Sequence, residues 1–193
     1  MNHLEVKRKW DGIYSKSVSS AAPDACHVLT RYTYLLPEEG RALDIACGRG
    51  GNALFMAGRG FNTIALDISS VAIDSIQERQ HPLIDARCEP VDATSLEKAT
   101  FDIIVISNYL DRSICTAIAD ALAPGGLLFY QTFVLDKVNP EAGPTNPDYL
   151  LEANELLTLF SGLKVLAFSD HGSQGDPDKG FRNQSCLVAQ RSK

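Results

Sequence analysis

Apolar positions in this chain alternate between two rhythms. Compact apolar runs occupy residues 41–46, 61–67, 101–107 and 127–133. The stretches between them carry apolar residues at helical spacing. The run FDIIVIS at 101–107 is almost unbroken, as suits a central parallel strand buried on both faces. Ile114, Ile118 and Leu122 then predict a helix over 111–123. Val28, Leu29, Tyr32, Leu35 and Leu36 predict another, opened by Pro23–Asp24 and ended by Pro37 and Gly40. Ser69 is a good N-cap for a helix over 71–80, which His81–Pro82 breaks. A short strand is expected at 84–89, a helix at 152–160, and strands at 163–169 and 182–190. Strands alternating with helices predict an α/β, doubly wound, mostly parallel sheet with helices on both faces. The last two strands have no helix between them and read as an antiparallel hairpin.

Two stretches break the rhythm. Residues 135–150 hold three prolines and no period, so they form a long loop, here placed on the acceptor side of a binding site. Residues 170–180 are polar and rich in glycine. Residues 1–22 read as an N-terminal arm, partly helical over 3–16, with Trp10 and Tyr14 able either to fold over a ligand or to pin the arm. The whole chain, 1–193, is expected to be one domain.

The segment RALDIACGRGGN at 41–52 concentrates the chemistry. A strand runs through glycines into a helix, which lets a ligand approach the backbone closely. Asp67 ends the next apolar run, about twenty residues on, at the usual distance for a ribose-binding carboxylate. Asp44 narrows the ligand class. A carboxylate beside the loop would repel a pyrophosphate and attract an ammonium or sulfonium. An NAD-type oxidoreductase is disfavoured on that ground.

LDIACGRG resembles motif I of the class I S-adenosylmethionine methyltransferases, and LAPGGLL resembles the family's turn before strand five. The resemblance extends over about residues 25–190. It implies a Rossmann-like, seven-stranded sheet with an antiparallel C-terminal hairpin. It also implies S-adenosylmethionine as donor and S-adenosylhomocysteine as product. Ligands of such sheets sit beyond the C-terminal strand ends. That rule selects Ala46, Cys47, Gly48, Arg49, Gly50 and Asn52 around the loop, with Asp44 beneath. It also selects Asp67 and Ile68 for the ribose, Asp92 and Ala93 for adenine, Asn108 and Tyr109 after strand four, and Tyr14 from the arm. Acceptor-side candidates are Tyr109, Arg112, Gln131, Thr132, His171 and Arg182. The segments NYLDR, YQTF and GPTNPDYLLEANELL look like the tellurite-resistance group, related to thiopurine methyltransferases. That resemblance implies a small-molecule acceptor, including soft ones such as a thiol or a selenium or tellurium oxyanion. Alternatives are a macromolecular acceptor or a regulatory protein that keeps only the donor site.

Composition changes this picture little. A net charge of −6 argues against a nucleic-acid partner. No apolar run reaches a membrane span, and MNHLEVKRKW lacks the apolar region of a signal peptide. Five scattered cysteines without a C-x-x-C pair fit free thiols in a reducing cytoplasm. No metal site is expected from four dispersed histidines. The expected assembly is a monomer or weak homodimer.

Overall fold

The structure is a computed structural model that describes residues 3–16 and 23–193. The remainder of the expected arm, residues 1–2 and 17–22, lies outside the described residues. Seven strands form one sheet: β1 (Arg41–Ile45), β2 (Asn62–Asp67), β3 (Ile84–Cys88), β4 (Phe101–Ser107), β5 (Leu122–Phe133), β6 (Lys164–Ser169) and β7 (Gln184–Gln190). Their order is β3-β2-β1-β4-β5-β7-β6. β1 to β5 pair in parallel, and β7 lies antiparallel between β5 and β6. The expected sheet and terminal hairpin are both present.

The alternation of side chains across the pleat explains the two cores. On β4, Ile104 and Ile106 join Leu43, Ile45, Leu128 and Tyr130 on one face. That face is covered by α5 (Cys115–Ala121) and α6 (Glu155–Leu159). Ile103 and Val105 face the other way, against Val28 and Leu29 of α2 (His27–Arg31) and Met56 of α3 (Gly51–Ala57). Ala65 of β2 packs with Ile73 and Ile76 of α4 (Ser70–Gln77) on that same side. Each fully buried Ile or Leu contributes roughly 1.5–3 kcal/mol, so the run Ile103–Ile106 of β4 anchors the sheet from both faces.

Several boundaries differ from expectation. The helix expected up to Leu36 stops at Arg31 and continues only as a 3-10 turn over Thr33–Leu35. The helix expected from 111 begins as a 3-10 turn, Arg112–Ile114. Its end is cut short because Leu122 pairs with Phe101, so β5 starts before Pro124–Gly125–Gly126. The described part of the arm, by contrast, is helical throughout, α1 (His3–Lys16), with no fully buried side chain.

α1 is held on α4 by polar contacts. Ser69 Oγ donates to Asp11 Oδ1 at 2.7 Å, and Lys7 Nζ reaches Ser70 Oγ at 2.7 Å and Asp11 Oδ2 at 3.1 Å. Asp11 thereby sits at the positive end of α4. These interactions lower its carboxyl below the ordinary range against the opposing effect of desolvation.

The start of α3 is tightly enclosed. A β-carbon at Gly51 would collide with the backbone carbonyl of Asp24 and come within 3.0 Å of that of Pro23. Backbone cannot rotate away as a flexible side chain would. Gly51→Ala is therefore expected to destabilise the fold by about 1–3 kcal/mol through overpacking. Urea denaturation checks this, and an unchanged midpoint would refute the packing argument.

Candidate functional site

The chain goes from β1 outward to β2 and β3, then returns to place β4 on the other side of β1. The strand order reverses between β1 and β4, which opens a crevice beyond their C-terminal ends. A cleft of about 770 Å³ occupies this position, within the usual range for small-molecule sites.

The glycine loop forms the cleft's floor. Ala46 adopts φ +52 and Gly48 φ +54, so the chain leaves β1 through left-handed backbone. Cys47 N–H donates to Leu66 C=O at 2.9 Å, tying the turn to β2. Asp67, at the end of β2, accepts from Gly48 N–H at 2.8 Å and from Ser69 N–H at 2.8 Å. Its carboxylate lines the cleft and is 6% exposed. Desolvation raises its pKa despite those two donors.

Asp44 lies elsewhere. It is fully buried and does not line the cleft. Its Oδ2 accepts from Ala53 N–H at 3.0 Å, and its Oδ1 from Asn52 Nδ2 at 3.2 Å. Asp44 therefore fixes the first turn of α3 from below, which corrects its expected place at the mouth of the strand. Asn52 is held in the same network. It also donates to Ser107 Oγ at 3.2 Å and accepts from Cys26 N–H at 2.9 Å.

Burial pushes the Asp44 carboxyl up to about 7 from an ordinary 3.8. The folded state then holds a proton that the unfolded chain has lost between those two values. Stability of the ligand-free protein should fall as pH rises through that window, by up to a few kcal/mol. Chemical denaturation of wild type and Asp44→Asn across pH isolates this contribution. The variant should gain on wild type as pH rises, and a pH-independent difference would exclude it.

The arm roofs the loop. Arg49 NH2 donates to Tyr14 C=O at 2.6 Å, and the Tyr14 hydroxyl stands where a β-carbon on Gly48 would come within 2.8 Å of it. Trp10 stacks on Tyr14 with centroids 5.8 Å apart, and both rings line the cleft. Burial raises the Tyr14 hydroxyl well above the ordinary tyrosine range, so it stays protonated.

The expected residues divide as follows. Tyr14, Ala46, Cys47, Gly48, Asp67, Ile68, Asn108, Tyr109 and Arg112 line the cleft. Arg49, Gly50 and Asn52 support the loop without lining it. Asp92 and Ala93 do not line it either. Asp92 is exposed, and its Oδ1 is taken by Thr94 N–H, Thr94 Oγ1 and Ser95 N–H. β3 ends at Cys88, so Glu89, Pro90 and Val91 form the wall instead. The strand-end rule would have found them had the end of β3 been set one residue earlier.

The acceptor-side candidates fare less evenly. His171 and Arg182 are absent from the lining. His171 Nε2 is 3.2 Å from Ser169 Oγ. Arg182 donates to the carbonyls of Lys179, Gly172, Gln174 and Asp176, folding the 170–180 turn onto itself. Gln131 and Thr132 are buried in β5. Gln131 accepts from Val28 N–H at 2.8 Å and donates to Gln184, which donates to Asn108 Oδ1.

Arg112 borders the cleft, but four of the five N–H donors of its guanidinium are engaged. Nε and NH2 clasp the two oxygens of Glu155 at 2.6 and 2.9 Å. NH1 and NH2 also donate to the carbonyls of Asp148 and Leu150. Of the long loop, Asp148 and Tyr149 reach the cleft, while 135–147 does not line it. The loop's tip turns toward β7, where Asn139 N–H donates to Asn183.

A loop that grips a strand-end carboxylate at a switch point, under an aromatic roof, suits a nucleoside-bearing ligand. Comparison with known proteins agrees. A family model described as a methyltransferase domain matches residues 19–166. A Bacillus subtilis (strain 168) protein named as a methyltransferase, YqeM, is 27% identical over 122 residues, 55% of this chain. The chain spans about half the length of that relative, 49%. TehB from Haemophilus influenzae superposes with a TM-score of 0.69 at 18% identity, covering 95% of this chain and 67% of TehB. A geranyl diphosphate C-methyltransferase from Streptomyces coelicolor, solved with S-adenosyl-L-homocysteine, gives 0.66 at 15% identity over 98% of each chain. These structural likenesses share the fold.

Proposed function

Since the chain belongs to the methyltransferase domain family, we propose that it moves a methyl group from S-adenosylmethionine to a small molecule. The observation that carries this reading is the Asp67 carboxylate, held by Gly48 N–H over the cleft at the β1/β4 reversal. The sequence resemblance supports a class I enzyme, and the sheet, with its helices drawn from residues 27 to 190, supports one domain. Among the described residues no helix is long and apolar enough to cross a membrane.

The site fits the donor in size and chemistry. Asp67 would take the ribose hydroxyls, the Cys47–Gly48 backbone the amino-acid end, and Ile68 with Val91 the adenine faces. When bound, the donor supplies an electrophilic methyl on a sulfonium, which leaves by in-line displacement. The chain's own share is mostly proximity and alignment, worth up to about 7–11 kcal/mol for well-oriented reactants. Trp10 and Tyr14 exclude water from above. Asn108 is held by Gln184 and by its own N–H to Gln131 C=O, so its side chain is presented rigidly.

Calorimetry with S-adenosylhomocysteine and with NAD tests the donor. The reading requires binding of the first and sinks if only NAD binds. Labelled donor with thiol, selenite, tellurite, phenol and aromatic amine acceptors then tests turnover. Binding without turnover on any acceptor would favour the regulatory alternative.

A further inference from the structure

Resting on that reading of the cleft, we infer that the acceptor is a planar nitrogen compound, neutral or cationic, and that oxyanions and carboxylates are refused. The wall is acidic from end to end. Asp67 and Glu89 line the donor side, and Asp111 and Asp148 line the opposite side. Among the described lining residues the one permanent cation is Arg112, and Glu155 neutralises it through two contacts. Two carbonyls take two of its three remaining donors.

Backbone N–H groups are the other means of holding an anion. Here two of the lining turns direct theirs at carboxylates. Asp67 takes Gly48 N–H, and Asp111 takes both Ser113 N–H and Ser113 Oγ through Oδ1, at 2.9 and 2.6 Å. An entering anion would meet Asp111 and Asp148 beside an arginine whose fork Glu155 already holds. A planar amine meets the reverse. Tyr109 and Tyr149 bring aromatic rings to the acceptor side, which attract flat and cationic groups, and the two carboxylates accept N–H bonds.

The test uses benzimidazole, its 5-carboxylate and tellurite as probes, each titrated into the S-adenosylhomocysteine complex. Trp10, the chain's single tryptophan, reports binding by fluorescence, with calorimetry as the second measurement. Benzimidazole should bind about tenfold or more tighter than its carboxylate, as like-charge juxtaposition demands, and tellurite should not compete. In the Asp111→Asn, Asp148→Asn double variant the gap should narrow to about threefold or less. If that variant fails to fold, the exposed Asp148→Asn change alone should narrow it in part. The inference is overturned if either anion binds as tightly as benzimidazole, if benzimidazole does not bind the complex, or if the gap survives the substitutions. Failure of S-adenosylhomocysteine itself to bind would instead overturn the methyltransferase reading of the cleft.

Discussion

Asp67→Ala is expected to weaken S-adenosylhomocysteine binding by about 2–4 kcal/mol. Two hydroxyl bonds to a charged acceptor are each worth about 1.5–3 kcal/mol, less what water restores. The same carboxylate also holds the Gly48 and Ser69 N–H groups, so alanine would free the loop as well. Asp67→Asn separates the two effects. It keeps one carbonyl acceptor and the shape of the side chain but loses the charge, so it should fall between wild type and alanine. Calorimetry measures the affinity, and thermal unfolding of the ligand-free proteins measures the loop's share. A folded alanine variant with wild-type affinity would remove Asp67 from the donor site.

Arg112→Ala should reduce turnover by roughly 10–100-fold while leaving S-adenosylhomocysteine affinity near normal, because small misplacements of positioning groups are that costly. The side chain joins the exit of β4 to residues 148–155 through Glu155 and two carbonyls. Asp148 and Tyr149 ride on that segment and form one wall of the cleft. The ion pair is partly exposed, so its direct stability contribution is only about 0–1 kcal/mol. Its importance lies in geometry. Arg112→Lys should not restore turnover, since an ammonium cannot span both oxygens of Glu155 and the two carbonyls together. Steady-state kinetics beside donor titration is the check. A lysine variant with full turnover would show that charge alone is needed.

The same clamp shows where sequence reasoning about the site reached its limit. Arg112 was legible as a residue at the right strand end, but its partner Glu155 lies 43 positions away. Nothing local marks that pairing. Similarly, His171 and Arg182 follow the correct edge of the sheet. Yet the 170–180 turn closes on Arg182 and stays out of the cleft. Asp92 is off the cleft wall for a simpler reason: β3 ends at Cys88, so residues 89–91 take that place, and Asp92 turns toward Thr94 and Ser95. Asp44 is the most instructive case. Its place in β1 was evident, but which donors would reach it depended on how α3 returns over the strand.

What the sequence determined by itself was the layering and the position of the crevice. An apolar run as dense as that at 101–107 can be satisfied only between two covered faces. Glycines at 48 and 50 permit the positive φ of the turn. A carboxylate closing the second strand falls at the crevice by the geometry of parallel sheets. These are constraints of period, backbone freedom and strand direction, and they act within a few residues or within one supersecondary unit. The tertiary structure decided the rest. It set the length of β5 through the pairing of Leu122 with Phe101, and it laid α1 on α4 through Asp11 and Ser69. It also neutralised Arg112 with Glu155. Each of these outcomes joins segments far apart in the chain. Their energies exist only once the sheet has brought the partners together, so no local pattern encodes them.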